Sequence, residues 1–199
     1  MNPETSSVLG EFEFCIRGSR GRLGKQISRW LQFYFPEKHV RSLMAYGGSF
    51  EYIGNFKTAD KRILFIASGR SNAKTTASEC DYELTEFTEM LEEMRDGLLS
   101  KGNSVLVFIS SGGTVYERGT TAKFENSNLR PNSPYAYLKL AEEQLLKEFA
   151  TRTGIKLLIF RIANAYLGEP GIQKGIVDSL LSIKPGMPLL EISVSPESQ

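Results

Sequence analysis

Short apolar runs alternate with amphipathic stretches along most of the chain, and this alternation limits the fold more than any other feature. Residues 12–16 form an apolar run, a glycine cluster follows, and apolar side chains then recur three or four positions apart over residues 23–35. The other predicted elements are strands at 39–44, 62–67, 104–110 and 156–162 and helices at 82–100 and 134–152. Strands that alternate with helices in this way pair in parallel. The pattern predicts an α/β fold with a doubly wound, mostly parallel sheet and helices on both faces.

The composition of individual segments adds detail to this prediction. The runs at 62–67, 104–110 and 156–162 are continuously apolar, which is typical of strands covered on both faces. Residues 45–61 are too few for a full helix and strand, so we expect a shortened crossover with an edge strand at 50–53. We place Trp30 in the core. The acidic side chains of the second helix are expected to face solvent: Asp81, Glu83, Glu86, Glu89, Glu92 and Glu93.

Length and charge exclude several classes of function. The 199 residues suit one ordinary domain, and 24 basic against 23 acidic residues leave a net charge of +1, so no overall field attracts nucleic acid or anionic lipid. No segment reaches the roughly 18 to 20 uninterrupted apolar residues that a membrane span requires. Cys15 and Cys80 are isolated, and the single His39 excludes a His-rich zinc site. We expect a cytoplasmic protein without a nucleic-acid, membrane or metal partner.

Three glycines lie between the first strand and the first helix. Gly18, Gly21 and Gly24 are spaced three apart at the point where the chain turns from strand to helix. Glycines there allow a sharp turn and a close approach to a pyrophosphate, and the helix N-terminus offers free N–H groups. The context predicts a phosphate-binding loop, with an ordinary glycine-rich connection as the alternative.

A tyrosine and a lysine begin the helix at 134–152. Tyr135 and Lys139 are four residues apart, so their side chains lie within about 40° of each other on the helix surface. This spacing is expected by chance, and Tyr34 with Lys38 forms another example. Position distinguishes Tyr135, because Ser133 can cap the helix and the preceding strand end supplies hydroxyl groups. The pair is therefore a candidate site for chemistry, in which Lys139 can lower the pKa of Tyr135.

Hydroxyl groups also follow the strand at 104–110. Ser111 and Thr114 come where this strand ends. Ligands of open parallel sheets bind beyond the carboxyl ends of the strands, so these side chains could contact a substrate. The alternative is a serine- and glycine-rich turn, which is common after any strand.

Four segments stand in the order and spacing of one known family. They are the glycine loop at 18–24, SSGGTVY at 110–116, SPYAYLKLAEEQLL from Ser133, and RIANAYLGEP at 161–170. Together they resemble the NAD-dependent epimerase/dehydratase family, the nucleotide-sugar branch of the extended short-chain dehydrogenase/reductases. The resemblance covers residues 12–170. It implies a Rossmann-type dinucleotide-binding domain at 1–170 and a remnant of a substrate-binding region at 171–199.

The same resemblance implies roles for individual residues. Tyr135 would act as acid and base at a sugar hydroxyl or carbonyl, and Lys139 would bind the nicotinamide ribose. Ser111 or Thr114 would supply the assisting hydroxyl, because Gly112 occupies its usual position. Asn164 and Thr114 would contact a nucleotide-sugar substrate, and the helices beside Tyr135 leave a homodimer possible. Residues implied to hold the cofactor are Gly18, Arg20, Gly21, Leu23, Gly24, Arg41, Ala67, Ser110 and Lys139.

Departures from the family pattern leave alternatives open. Arg41 and Ser42 stand where a ribose-binding acid is expected, so the cofactor is NAD or NADP. Little sequence follows Pro170, where relatives continue into a substrate lobe, so we expect weak binding of a nucleotide sugar. Two alternative functions remain: a truncated, non-catalytic NAD(P)-binding module, and a short-chain reductase of a small carbonyl compound.

Overall fold

The computed structural model describes residues 12–37, 40–46, 49–52, 61–97, 104–117 and 123–163. Their elements, in chain order, are β1 (Glu13–Arg17), α1 (Arg22–Tyr34), β2 (Val40–Tyr46), β3 (Ser49–Tyr52), β4 (Arg62–Ile66), α2 (Ala77–Gly97), β5 (Ser104–Ser111), α3 (Pro134–Thr153) and β6 (Lys156–Ile162). Every strand predicted from the apolar runs is present, and no strand begins or ends more than two residues from its predicted position.

The strands form one sheet in the order β3-β2-β1-β4-β5-β6. Neighbours from β2 to β6 pair in parallel, whereas β3 pairs antiparallel with β2 at the edge. The chain starts at β1, moves outward to β2 and β3, and then returns to β4 on the other side of β1. The predicted fold class, a doubly wound and mostly parallel sheet with helices on both faces, is confirmed. Sheets of this kind bind ligands where the strand order reverses, here between β1 and β4.

The core has two parts because successive side chains of a strand face opposite sides of the sheet. Cys15, Leu64 and Leu106 face α2 and α3, where Phe87, Met94, Leu146 and Phe149 complete one cluster. The neighbouring positions Phe14, Ile63 and Val107 face the other side and pack with Phe35. Burial of each such large apolar side chain stabilises the folded state by about 1.5 to 3 kcal/mol.

Helix α2 begins at Ala77, five residues before the predicted start at 82. Thr76 and Glu79 explain the difference. The Thr76 backbone N–H donates to Glu79 at 2.9 Å, and the Glu79 N–H donates to the Thr76 hydroxyl at 3.4 Å. This reciprocal pair is a capping box, which fixes a helix start through two otherwise unpaired N–H groups. Its pattern, a threonine followed three positions later by a glutamate, is present in the sequence.

Trp30 does not lie in the core, so that prediction is wrong. Its side chain is 58% exposed, and its ring lies 5.5 Å from the ring of Tyr34 on the outer side of α1. The helix instead contacts the sheet through Leu31 and through Phe35, which follows its last turn. One residue turns a helix by about 100°, which places Trp30 to one side of the surface that Leu31 presents to the sheet.

Strand β6 is covered on one face only within the described residues. Leu157 and Ile159 pack against the cluster beneath α3, whereas Leu158 and Phe160 are 50% and 52% exposed. The prediction that this strand is covered on both faces is therefore wrong for the described part of the chain. The proposed remnant at 171–199 lies outside the described residues.

Candidate functional site

The glycine loop connects β1 to α1 beside the end of β4. Gly18 has φ +87°, and a Cβ there would lie 2.6 Å from the carbonyl oxygen of Ala67. A Cβ on Gly24 would collide with the carbonyl group of Gly18. Two of the three glycines are therefore required by the turn and by the close packing of helix on loop.

Gly21 has a different place in the loop. Its φ of −71° is open to any residue, and it forms the N-cap of α1 without a side-chain hydrogen bond. The first turn of α1 contains no acidic residue. The helix therefore presents uncapped N–H groups and the positive end of its dipole, which favour a bound anion. The side chain of Arg20 is exposed in the same loop.

A cavity of about 280 Å³ lies beyond the ends of β4, β5 and β6. It brings together predicted site residues from four separate regions of the sequence. Those that line it are Leu23, Ala67, Ser110, Ser111, Tyr135 and Lys139. The remaining lining comes from Ser68, Gly69, Ser71, Ile109, Ile162 and Ala163.

Other predicted residues lie near the cavity or outside the described part. The Thr114 hydroxyl donates to Ser111 at 3.0 Å, although Thr114 is not itself part of the lining. Arg41 lies on β2 opposite Cys15 of β1. Asn164 lies outside the described residues.

Tyr135 and Lys139 lie at the start of α3, which is fixed by a side-chain cap. Ser133 accepts a hydrogen bond from the Ala136 N–H at 3.2 Å, and Pro134 occupies the first turn. The Lys139 ammonium lies 5.6 Å from the centre of the Tyr135 ring and is 4% exposed. Lys139 is therefore a buried cation beside the tyrosine at the edge of the cavity.

Two buried carboxylates accompany Lys139. Its Nζ donates to Oε2 of Glu142 at 2.7 Å, and Oε1 of Glu83 lies 4.0 Å away. Burial raises the pKa of Glu142 to about 7, although the attraction of Lys139 opposes this rise. Burial also opposes ionisation of Glu83, but hydrogen bonds from Ser71 and Arg70 outweigh it and lower the pKa of Glu83.

Glu83 corrects the expectation that the acidic side chains of α2 all face solvent. It is 7% exposed and accepts backbone N–H groups of Arg70 at 2.9 Å and Ser71 at 2.7 Å. Cys80 and Phe87, three positions before and four positions after it, are also buried. The periodic pattern thus contained a signal for Glu83 on the inward face of the helix.

A second ion pair lies behind the cavity. Arg161 donates to both oxygens of Glu143, at 2.9 Å and 2.7 Å, and also to the Tyr116 hydroxyl at 2.9 Å. The Ser110 hydroxyl donates to Glu143 at 2.7 Å. Burial opposes ionisation of Glu143, but the hydrogen bonds from Arg161 and Ser110 outweigh it and lower the pKa of Glu143. This network ties α3 to the ends of β5 and β6.

Residues 59–183, more than half of the chain, match the model of the NAD-dependent epimerase/dehydratase family. The chain belongs to this family. The family prediction made from the four sequence segments is therefore confirmed.

Relatives of this epimerase/dehydratase-family chain match it over part of their length. A protein of Methanocaldococcus jannaschii, provisionally assigned as a UDP-glucose 4-epimerase, is 30% identical over 119 residues, covering 56% of this chain and 38% of the relative. The Thermotoga maritima UDP-glucose 4-epimerase solved with UDP-glucose has a TM-score of 0.62 at 18% identity, covering 84% of this chain and 61% of its own. The Thermus thermophilus UDP-glucose 4-epimerase solved with NAD has a TM-score of 0.60 at 20% identity. The match covers 75% of this chain and 54% of the Thermus protein. The chain thus spans between about two fifths and three fifths of these relatives.

Two further observations apply to the described part of this family member. None of its described helices is long and apolar enough to cross a lipid bilayer. Among the same residues, no group of three or more His, Cys, Asp or Glu side chains is arranged to hold a metal ion.

The raised pKa of Glu142 predicts a pH-dependent contribution to stability. A carboxyl whose pKa is about 7 when folded and 4.5 in its unperturbed state binds more protons in the native than in the unfolded protein between these values. Its contribution is full below pH 4.5 and is lost as the pH rises toward 7. Replacing Glu142 by Gln should remove this loss. The unfolding free energy of the variant, relative to that of wild type, should therefore increase by about 2 to 3 kcal/mol as the pH rises from 4.5 to about 7.

Urea unfolding of wild type and Glu142→Gln at several pH values measures this difference. Glu83 and Glu143 have lowered pKa values, so their contributions to stability change with pH in the opposite direction. Glu148 is exposed on the same helix, so Glu148→Gln is the control and should follow wild type. Parallel curves for wild type and Glu142→Gln would contradict the prediction.

Proposed function

We propose that this chain binds a nicotinamide dinucleotide, NAD or NADP, and acts on a nucleotide sugar with Tyr135 as acid and base. One observation carries the proposal: a single cavity is lined by Leu23 of the phosphate-loop helix, by Tyr135 and by Lys139. Relatives solved with NAD and with UDP-glucose support both ligand classes. Since the chain spans only part of those relatives, its activity and substrate are part of the proposal.

The residues present fit a dinucleotide. Gly21 leaves the N-terminus of α1 without a side chain, where a pyrophosphate would accept N–H groups. Leu23, Ala67 and Ser110 line the adjoining cavity, where the ribose and nicotinamide would lie against them. When bound, the nicotinamide supplies the capacity to accept and return a hydride at a sugar carbon.

The chain's own residues would handle the proton. Tyr135 lies at the cavity edge, where its phenolate would remove the proton from a sugar hydroxyl and its phenol would return one. The buried ammonium of Lys139, 5.6 Å from the ring centre, would favour the negatively charged form by electrostatic attraction. Ser111, with Thr114 donating to it at 3.0 Å, would orient the substrate hydroxyl.

A dinucleotide-binding module without turnover is the second candidate, and one observation favours it. The hydrogen bond of Lys139 goes to Glu142 at 2.7 Å, and the lysine reaches Tyr135 only across the face of its ring. The two candidates share cofactor binding and differ in turnover. Detection of an epimer or keto product from a UDP-sugar would separate them.

Replacing Gly21 by Asp tests the cofactor part of the proposal. The new carboxylate would stand at the uncapped end of α1, in the place of the pyrophosphate, and would repel it. A Cβ there lies no closer than 3.2 Å to a neighbouring atom, so the fold should survive. We expect calorimetry to show NAD and NADP affinity weakened by about tenfold or more.

Gly154→Asp is the matched control for charge. Gly154 ends α3 with φ +74°, and a Cβ there would meet nothing within 4 Å. Asp tolerates this left-handed conformation better than most residues. The control should bind as wild type does. Equal affinities of wild type and Gly21→Asp for both dinucleotides would refute the loop assignment.

A further inference from the structure

Lys139 lies between two carboxylates that come from different helices. Glu142 of α3 accepts its hydrogen bond at 2.7 Å, and Glu83 of α2 approaches to 4.0 Å. The side chains of Lys139, Glu83 and Glu142 are 6%, 9% and 1% exposed. Oε1 of Glu83, the oxygen nearest the ammonium, is buried and has no hydrogen-bond partner among the described residues. The two carboxylates therefore hold a buried cation whose charge acts beside Tyr135.

Among the described residues, four elements contribute charged or aromatic groups around this cluster. From α3, Tyr135, Lys139 and Glu143 accompany Glu142, and α2 contributes Glu83. From β5, the ring of Phe108 lies 5.7 Å from the ammonium. From β6, Arg161 is engaged with Glu143, so it neutralises that carboxylate rather than Glu142.

The loop before α2 leaves this cluster close to the cavity. A Cβ on Gly69 would lie 3.0 Å from Oε1 of Glu83 and 3.4 Å from Nζ of Lys139. Gly69 itself lines the cavity, together with Tyr135 and Lys139. Lys139 therefore borders the cavity directly, and residue 69 places no side chain between the Glu83 carboxylate and that space.

We propose that Glu83 and Glu142 are positioning residues that hold the Lys139 ammonium beside Tyr135, and that the charge on Glu142 sets the pH range in which Tyr135 loses its proton. This inference rests on the proposed role of Tyr135 and adds the residues that regulate it. Neither carboxylate lines the cavity, so neither would contact a substrate there. Both act through Lys139.

Charge counting gives the direction of the effect. With Glu83 ionised and Glu142 protonated, Lys139 makes the cluster neutral. When Glu142 loses its proton, the cluster carries one net negative charge, which opposes a phenolate nearby. Burial raises the pKa of Glu142 to about 7, so this change falls within the physiological range. A neutral residue of the same shape at position 142 should let Tyr135 ionise at lower pH.

Nuclear magnetic resonance of protein labelled at the tyrosine Cζ atoms tests this directly. The Tyr135 signal is assigned by its absence from Tyr135→Phe and followed against pH in wild type and Glu142→Gln. We expect the variant's midpoint to move to lower pH by about one unit, as for loss of one charge at short range. Where turnover is measured, the acidic limb of the pH–rate profile should move by the same amount.

Two further variants separate regulation from a structural role. Glu148→Gln removes one exposed charge from the same helix and should leave the Tyr135 midpoint where it is. Glu83→Gln keeps an oxygen that can accept the N–H groups of Arg70 and Ser71 but loses the negative charge. The charge of Lys139 would then be balanced by that of Glu142. Its midpoint should also fall, which keeps the test open if Glu142→Gln does not fold.

The outcomes separate this inference from the proposed function. The titration needs neither cofactor nor sugar, so wild type without turnover would refute the enzymatic proposal and leave the titration result standing. Midpoints that stay at the wild-type value or rise in both Glu142→Gln and Glu83→Gln, in folded protein, would overturn the inference. Lower stability without a moved midpoint would assign the carboxylates a purely structural role and would overturn it as well.

Discussion

Replacing Tyr135 by Phe is expected to lower turnover of a nucleotide sugar by about 100-fold or more, the usual contribution of a general acid/base. The ring keeps its place over the Lys139 ammonium, 5.6 Å from the ring centre, and only the ionisable hydroxyl is lost. Folding and dinucleotide binding should therefore survive. Steady-state rates, with calorimetric NAD(P) affinity measured on the same preparations, check the prediction.

Tyr137 provides the matched control because it lies on the same helix but faces away from the cavity. It is 62% exposed and has no lysine one helical turn further along the chain. Tyr137→Phe should keep the wild-type rate. An active Tyr135→Phe protein beside an inactive Tyr137→Phe protein would reverse the assignment.

The sheet could be predicted because most of its strands stand out in the sequence as short apolar runs. The predicted strand at 156–162 matches β6 to the residue, and the strand at 104–110 misses β5 by one. The edge strand β3 gave only a weak signal, since its four residues include Ser49 and Glu51 and form no apolar run. Apolar runs located the strands well, but they did not show which faces of a strand are covered, as the half-exposed Leu158 and Phe160 of β6 illustrate.

Helix faces were predicted less well because polar groups can also be buried. The exposed Trp30 and the buried Glu83 both contradict a rule that sorts side chains by hydrophobicity alone. Glu83 is tolerated inside because backbone N–H groups of Arg70 and Ser71 donate to it, and these lie 13 and 12 residues away in the sequence. Such partners become known only once the chain is folded.

Part of the candidate site could be predicted from local sequence patterns, and part of it could not. The glycine loop and the Tyr135–Lys139 pair are local patterns, and the sequence places them at the strand ends that bind ligands in such sheets. The contact between Lys139 and Glu83 joins α3 to α2 across 56 positions of sequence, and no local pattern contains it. The residues that would regulate the site are therefore those that sequence reasoning missed.

Replacing Arg161 by Met should destabilise the protein by about 3 to 5 kcal/mol, the usual cost of leaving a buried charge without its partner. The Glu143 side chain is 1% exposed and, among the described residues, would keep the hydrogen bond from Ser110 alone. Since total stabilities are about 5 to 15 kcal/mol, urea unfolding should show a large shift of the midpoint. The shift should become smaller at low pH, because the pKa of the abandoned Glu143 carboxyl would rise and protonation would neutralise it.

Arg130 offers a pair of similar geometry on the surface. Its guanidinium lies 3.1 Å from Glu117, but the two side chains are 76% and 42% exposed. Water screens such a pair, so Arg130→Met should cost about 1 kcal/mol or less at any pH. If both variants lost equally little, the Arg161–Glu143 pair would not be what ties α3 to the end of β6, and the cavity walls would have to be held by apolar packing alone.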